Sequence, residues 1–111
     1  LDVVELERIE KIDRRSEKFR LRILTTKELN IYKGYSASRR IEFLAGRCAA
    51  KEAFAKAKGT GIGVLCNFVD IEILPNEQGK PELFFKGYAV NGFISITHTK
   101  TIAAAQVILQ A

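Results

Sequence analysis

One carboxylate is a candidate for chemistry because it lies on the apolar face of a predicted helix. At about 100° per residue, Glu52 shares its side of the helix with small or apolar residues such as Ala45 and Cys48. An unpaired buried carboxylate costs on the order of several kcal/mol, so Glu52 requires a cation. Lys56, one turn further on, can form an ordinary ion pair, and a bound metal ion is the alternative. The spacing alone favours the ion pair.

Three further features carry weaker chemical signals. The cluster Gly59-Thr60-Gly61-Ile62-Gly63 follows a predicted helix, whereas a phosphate-binding P-loop precedes one, so a helix C-cap with a tight turn is favoured. Glycines also allow a ligand to approach the backbone. His98 is the only histidine, which excludes a centre built on several histidines. Cys48 and Cys66 match neither a disulfide framework nor a zinc site, so we expect a reduced, cytoplasmic protein.

Positive charge is concentrated in the first half of the chain. Residues 1–58 hold 15 Lys and Arg against 9 Asp and Glu, net +6, and residues 59–111 hold 3 against 4, net −1. An anionic partner is indicated: a nucleic acid, a phosphorylated cofactor or an acidic protein. Helical spacing predicts two cationic stripes. One is Arg8, Lys11, Arg15, Lys18 and Arg22, if the helix is continuous, and the other is Arg40, Arg47, Lys51 and Lys58.

The elements that must position these residues follow an α+β pattern, with helices first and strands later. Helices are predicted at 5–23, with a break near Ser16, at 27–33 after the capping box that begins at Thr25, and at 38–58. Strands are predicted at 1–4, 68–74, 81–85, 93–97 and 102–109. We expect one domain, residues 1–111, with N-terminal helices packed on a largely antiparallel sheet. No apolar run approaches the roughly 18 residues that span a bilayer, so no membrane partner is expected.

The long helix and the segments around it resemble a known family. Phe43 to Ala57 is similar to the signature helix of the 4′-phosphopantetheinyl transferases, specifically the small holo-acyl-carrier-protein synthases. The resemblance covers nearly the whole chain, in order and at family spacing, and is therefore more specific than any single motif. It includes Leu1–Ile9, Gly59–Gly63, Phe68–Ile73, Gly79–Pro81, Ile94–Lys100 and Ala103–Leu109.

The resemblance implies an enzyme that transfers 4′-phosphopantetheine from coenzyme A to a serine of an apo-acyl carrier protein. The products are the holo-acyl carrier protein, used in fatty acid biosynthesis, and adenosine 3′,5′-bisphosphate. Members of this family need a divalent cation, normally Mg²⁺. Those of this size are homotrimers with coenzyme A bound between neighbouring subunits, and neither nucleic acid nor a membrane is expected as a partner.

The resemblance also assigns roles to individual residues. Asp2 and Glu52 would be the metal ligands, and Lys56 would complete the catalytic group by contacting a coenzyme A phosphate. The residues that would hold coenzyme A are Lys56, Arg39, Arg47, Gly59, Gly61, Gly63, His98 and Thr99. Arg8, Lys18 and Arg22 would lie on a ridge that meets the acidic carrier protein. Glu52 and a metal-bound water are the alternatives for the base that takes the proton of the carrier serine.

The sequence departs from the family pattern at two places. The family's Gly-Ile-Gly segment before the residue matching Leu1 is absent, which implies that the chain lacks a few N-terminal residues. Cys48 stands where an aromatic residue is common, and we expect this change to affect packing.

From the residues alone, a non-catalytic basic module that binds nucleic acid is one alternative. An interaction scaffold without an active pocket is the other.

Overall fold

The computed structural model describes residues 1–110, which form four helices and six strands. The helices are α1 (Leu6–Arg15), α2 (Lys18–Ile23), α3 (Thr26–Lys33) and α4 (Ala37–Lys58). The strands are β1 (Asp2–Glu5), β2 (Ile71–Pro75), β3 (Pro81–Phe85), β4 (Tyr88–Ala89), β5 (Gly92–His98) and β6 (Ile102–Leu109). This order confirms the predicted α+β class.

The strands form two antiparallel sheets, where the sequence predicted one. β1, β6 and β5 make the first sheet in that order, and β2, β3 and β4 make the second. β1 pairs with β6 so that Asp2 lies opposite Ala105. The residues of β6 alternate, and Ala103, Ala105 and Val107 are buried on the face toward α4. The sheet pairing therefore carries the first residues of the chain to the helix that holds Glu52.

α4 lies at the centre of the core and is buried on most of its circumference. Its small residues allow close packing against the first sheet, and a Cβ added at Gly46 would lie 3.0 Å from Ile96 Cγ2. Although α4 has 22 residues, it carries several charges. No helix within residues 1–110 is both long and apolar enough to cross a bilayer.

The predicted helix ends are confirmed, and the break near Ser16 interrupts the first predicted cationic stripe. The Thr25 hydroxyl accepts a hydrogen bond from Glu28 N, and the Glu28 carboxylate accepts one from Thr25 N, which is the predicted capping box. Between α1 and α2, the Ser16 hydroxyl accepts a hydrogen bond from Lys18 N at 3.1 Å. Because the helix is broken there, the stripe from Arg8 to Arg22 does not lie along one continuous helix.

The second sheet differs from its prediction at both ends. The strand predicted at 68–74 begins at Ile71, because the Asn67 and Asp70 side chains cap a 3-10 turn over Phe68–Asp70. Val69 is therefore 47% exposed and does not share the buried face of Ile71 and Ile73. The two-residue strand β4 was not predicted, and it follows a turn at residues 86–87 with positive φ values of 50° and 87°.

The second cationic stripe is not a solvated surface, because its two central residues, Arg47 and Lys51, are buried. Lys51 is fully buried, and its Nζ lies 2.6 Å from Glu28 Oε1 and donates to Ile23 O at 2.6 Å. Glu28 Oε2 in turn accepts a hydrogen bond from Ile73 N at 2.9 Å. This network joins α2, α3, α4 and β2. The sequence predicted this cationic stripe but not the burial of its centre, because the periodicity of α4 did not reveal that other elements surround the helix.

Candidate active site

The end of α4 and the start of β1 bring Asp2, Glu52 and Lys56 to one place. From the last turn of α4, Lys56 Nζ donates a 2.9 Å hydrogen bond to Asp2 Oδ1. This bond raises the pKa of Lys56, and the negative charges of Asp2 and Glu52 raise it further. Lys56 thus remains a cation next to two carboxylates. We call Asp2, Glu52 and Lys56 the carboxylate group.

The second carboxylate oxygen of Asp2 could hold a cation. The side chain of Asp2 is 12% exposed, and Oδ2 is buried without a hydrogen-bond partner among residues 1–110. Because such an atom is costly to bury unpartnered, this oxygen could accept a hydrogen bond from water or coordinate a cation. Mg²⁺ prefers carboxylate oxygens and keeps several waters, so two carboxylates fit it. Residues 1–110 hold no cluster of three or more His, Cys, Asp or Glu that could bind a metal ion.

Glu52 makes a different contact from the one that its spacing favoured. The described part of the chain contains no ion pair to Glu52, because Lys56 pairs with Asp2. Instead, Cys48 Sγ donates a hydrogen bond to Glu52 Oε1 at 3.3 Å. Burial, followed by the charge of Glu52, raises the pKa of the Cys48 thiol to about 12, so the thiol keeps its proton at neutral pH. The (i, i+4) ion pair predicted from spacing is therefore wrong.

A cavity of about 280 Å³ lies beside Glu52, toward α1 and α2. Its lining is mostly apolar and includes Phe19 and Phe68, with Arg8 and Arg22 as its basic residues. Two of the three residues that the sequence assigned to carrier binding thus share a cavity with Glu52. The third, Lys18, is exposed on α2 and does not line this cavity.

A second set of predicted site residues lies toward the start of α4. Arg39, Arg47 and His98, which we call the arginine group, line a cavity of about 270 Å³. His98 Nε2 lies 3.4 Å from Glu42 Oε2, and Arg39 Nη1 lies 3.7 Å from Glu42 Oε1. The Glu42 carboxylate therefore lies close to two members of the arginine group.

Arg47 is the buried member of the arginine group. Its guanidinium carbon lies 4.3 Å from the centre of the Phe43 ring, and the residue is 9% exposed. Burial lowers the pKa of Arg47, although a guanidinium keeps its proton in proteins. Its Nε is buried without a hydrogen-bond partner within residues 1–110. A buried guanidinium with an unused donor suits an anionic oxygen, such as that of a phosphate.

The glycine loop ends α4, as the sequence predicted. Gly59 has a φ of 93°, and its N–H bonds to Ala55 O at 3.1 Å and to Lys56 O at 3.0 Å. Gly61 also has a positive φ, of 67°, whereas Gly63 does not. The loop begins three residues after Lys56, so it leaves α4 at the end that holds the carboxylate group.

Thr99 and Glu42 lie near the arginine group, and the sequence predicted a site role for Thr99 only. Thr99 lies outside the arginine-group cavity, and its hydroxyl accepts hydrogen bonds from Thr101 N and Ile102 N, which shape the turn after β5. Glu42 was not predicted as a site residue. Its (i, i+3) spacing from Arg39 could have indicated the contact between them, but no local signal links it to His98 on β5.

The carboxylate group and the arginine group lie far apart on one chain. An α-helix rises about 1.5 Å per residue, so Arg39 and Lys56 are separated by about 25 Å along the axis of α4. Arg47 lies between them but opens into the cavity of Arg39. The structure therefore places the predicted site residues in two separate groups.

The whole chain matches a known enzyme family. The 4′-phosphopantetheinyl transferase superfamily profile matches residues 1–108. The chain belongs to this superfamily and is a transferase. It is 49% identical over 111 residues to the holo-[acyl-carrier-protein] synthase of Listeria monocytogenes serotype 4a, covering 99% of this chain and 94% of the relative. The corresponding protein of Oceanobacillus iheyensis is 50% identical over 111 residues, with 99% and 92% covered.

Solved structures of relatives have the same fold. The holo-(acyl-carrier-protein) synthase of Bacillus anthracis in complex with CoA (3′,5′-ADP) has a TM-score of 0.85 at 48% identity, covering 97% of this chain and 90% of that chain. The Helicobacter pylori holo-[acyl-carrier-protein] synthase in complex with coenzyme A has a TM-score of 0.84 at 30% identity, covering 98% and 96%. The family predicted from the sequence is thus confirmed.

Proposed function

We propose that the chain transfers the 4′-phosphopantetheine group of coenzyme A to a serine of an apo-acyl carrier protein and releases adenosine 3′,5′-bisphosphate. The observation that carries this proposal is the carboxylate group. There, Asp2 Oδ2 is buried without a partner among residues 1–110, and Lys56 lies beside it. The relatives support the same reaction, since they are holo-[acyl-carrier-protein] synthases and two of their structures contain the coenzyme or part of it. None of these comparisons supports a nucleic-acid-binding module.

Each member of the carboxylate group has its own task in this reaction. Asp2 and Glu52 would hold Mg²⁺, whose charge neutralises the diphosphate of coenzyme A. The serine hydroxyl gives its proton to Glu52 or to a water, and its oxygen bonds to the phosphorus of phosphopantetheine as the bond from that phosphorus to the phosphate oxygen of 3′,5′-ADP breaks. Lys56 Nζ would stabilise the negative charge that grows on the leaving phosphate. Such a transfer requires positioning and charge neutralisation, which side chains at one end of a long helix can supply.

The arginine group would bind the nucleotide part of coenzyme A on a neighbouring subunit. Its Arg47 Nε is a buried donor without a partner in residues 1–110, which suits a phosphate oxygen. The separation of about 25 Å along α4 supports a site completed between two copies of the chain. We therefore include a homotrimer in the proposal, with coenzyme A between the glycine loop of one subunit and the arginine group of the next.

The outer face of the first sheet supports such an assembly. Phe93 and Ile108 lie opposite each other in the register of β5 and β6, and each is 55% exposed. Val3, at 54% exposure, lies opposite Ala104 and shares this face. Apolar side chains grouped on one exposed sheet face are typical of a protein interface. We propose this face as the contact between subunits.

The carrier protein would bind beside the carboxylate group. Arg8 and Arg22 line the cavity next to Glu52, and Lys18 is exposed nearby on α2. A basic ridge attracts an acidic protein and increases association rates at low salt, by about 10-fold or more. The product would serve fatty acid biosynthesis in the cytoplasm.

The test is transfer of labelled phosphopantetheine from coenzyme A to apo-acyl carrier protein with Mg²⁺. Glu52→Gln and Asp2→Asn should each lower the rate by more than about 100-fold, because even an outer partner of a metal ligand contributes about 10- to 100-fold. Glu77→Gln, in the exposed turn between β2 and β3, is the matched control and should keep full activity. A wild-type chain that transfers no label, or an active Glu52→Gln variant, would refute the assignment.

Assembly is tested by sedimentation. Ile108→Glu places a charge on the proposed interface and should give monomers that no longer bind coenzyme A. Val69→Glu changes an apolar residue that is 47% exposed elsewhere and should leave the assembly unchanged. A wild-type chain that sediments as a monomer yet binds coenzyme A fully would contradict the proposed interface.

A further inference from the structure

We propose that Asp13 is a positioning residue for carrier-protein binding: it holds α2 so that Lys18 and Arg22 face the carrier, without touching the carrier itself. This inference rests on the proposed function. It concerns a buried carboxylate that the transfer reaction does not use, on the side of α1 away from the ridge. At about 100° per residue, Asp13 lies about 140° around α1 from Arg8.

Both oxygens of Asp13 are engaged by neighbouring helices. Arg20 Nε on α2 donates to Asp13 Oδ1 at 2.8 Å, and the Tyr32 hydroxyl on α3 donates to Oδ2 at 2.8 Å. The Asp13 side chain is 6% exposed, and the Arg20 guanidinium carbon lies 5.4 Å from the centre of the Tyr32 ring. One carboxylate therefore joins α1, α2 and α3.

Asp13 holds the side of α2 that faces away from the basic ridge. Lys18 and Arg22 are four residues apart and lie within about 40° of each other, whereas Arg20 lies about 160° from each of them. Lys18 and Arg22 are exposed, and Arg20 is half-buried against Asp13. The bond to Arg20 thus fixes the rotation of α2 about its axis, which sets the direction of the two ridge residues.

α2 depends on such contacts because it cannot fix its own position. It has six residues, fewer than the roughly 12 that an isolated helix needs for marginal stability. It is separated from α1 by the break at Ser16 and Glu17. Its last residue, Ile23, is buried and bonds through its carbonyl to Lys51, which holds that end. The contact between Arg20 and Asp13 of α1 fixes α2 closer to its middle.

Positioning and long-range electrostatics predict opposite effects when Asp13 is neutralised. Asp13→Asn makes the chain more positive by one charge, so long-range charge attraction alone would strengthen binding of an acidic carrier. Loss of the charged hydrogen bond to Arg20 would instead loosen α2 and weaken binding. The sign of the change therefore separates the two causes.

The experiment compares variants for binding of purified apo-acyl carrier protein by calorimetry and for transfer kinetics. For Asp13→Asn we expect the carrier Kd and KM to rise about 10-fold, as for loss of a charged hydrogen bond, with kcat and the coenzyme A KM within about twofold of wild type. Glu7→Gln removes the same charge from an exposed position on α1 and should leave carrier binding unchanged or tighter. Tyr32→Phe removes only the bond to Oδ2 and should raise the carrier KM about threefold.

Each contrary result has a distinct meaning. If the Asp13→Asn variant binds the carrier protein as tightly as the Glu7→Gln variant does, this inference is overturned while the proposed function stays intact. A fall in kcat together with similar rises in both KM values would also overturn it, because such a pattern indicates a general structural role. If Asp13→Asn does not fold, an unchanged carrier KM in Tyr32→Phe overturns the inference. A wild-type chain that does not modify the carrier would overturn the proposed function as well.

Discussion

Arg47 and Lys51 lie one turn apart on the same side of α4, and both are buried, but their surroundings differ. Lys51 Nζ contacts Glu28 Oε1 and Ile23 O, each at 2.6 Å. Arg47 stacks on Phe43, and its Nε is buried without a hydrogen-bond partner within residues 1–110. The same helix face thus holds one cation, Lys51, that is paired within the chain, and another, Arg47, whose Nε–H has no hydrogen-bond acceptor among the described residues.

The difference separates a structural charge from a binding charge. Removing a cation from water is costly, and a structural cation compensates for this with partners inside the fold, as Lys51 does with Glu28. A buried donor that the fold leaves unbonded requires another explanation, and a ligand is the one that the proposed function supplies. Asp2 Oδ2 has the same character at the other end of α4, since it too lacks a partner among the described residues.

The largest effect is expected from breaking the structural pair. Lys51→Met leaves the Glu28 carboxylate buried without its cation and should lower the free energy of unfolding by about 3–5 kcal/mol. Denaturant titration followed by circular dichroism measures this change. The double variant Lys51→Met/Glu28→Gln should recover most of the loss, because a glutamine amide oxygen can still accept the bond from Ile73 N. No recovery in the double variant would contradict the ion-pair explanation.

Arg47 should behave in the opposite way. Arg47→Met removes an incompletely bonded buried charge and should leave the free energy of unfolding unchanged or raise it. Coenzyme A, however, should bind about 10- to 100-fold more weakly in the presence of Mg²⁺, because a hydrogen-bonded charge in the site is lost. Calorimetry measures the affinity. Arg40→Met is the matched control, since Arg40 donates to the Tyr32 and Lys33 carbonyls, and its loss should leave coenzyme A binding unchanged.

The smallest effect is expected from Cys48, whose buried thiol makes the stability of the fold depend on pH. Burial raises the pKa of its thiol from 9.0 to about 12, so above pH 9 the unfolded chain releases a proton that the folded chain keeps. The unfolded state is then favoured as pH rises, and stability falls between pH 9 and about 12. At pH 10, wild type should have lost about 1 kcal/mol more than Cys48→Ser, relative to their difference at pH 8. A constant difference from pH 8 to pH 10 would contradict the shifted pKa.

Local signals predicted much of the fold. The capping box at Thr25, the break at Ser16 and the glycine end of α4 all depend on residues a few positions apart, and each was confirmed. The burial of Lys51 was missed because helical periodicity shows which residues share a face but not what covers that face. The strand expected from Phe68 began later because Asn67 and Asp70 cap a short turn.

The candidate site could not be assembled from local signals. Asp2 and Lys56 are 54 positions apart, and they meet because β1 pairs with β6 beneath α4. The sequence placed them together only through the family resemblance. The same resemblance indicated Arg47 and His98, but it did not reveal the carboxylate of Glu42 that contacts His98.

The continuous length of α4 has a consequence for how this chain can vary. Each inserted or deleted residue turns the remainder of a helix by about 100° and shifts it by about 1.5 Å. A single insertion between Arg47 and Glu52 would therefore swing Glu52 and Lys56 away from Asp2, although every side chain was retained. A change in the length of this stretch is therefore incompatible with an intact site, even when no side chain is lost.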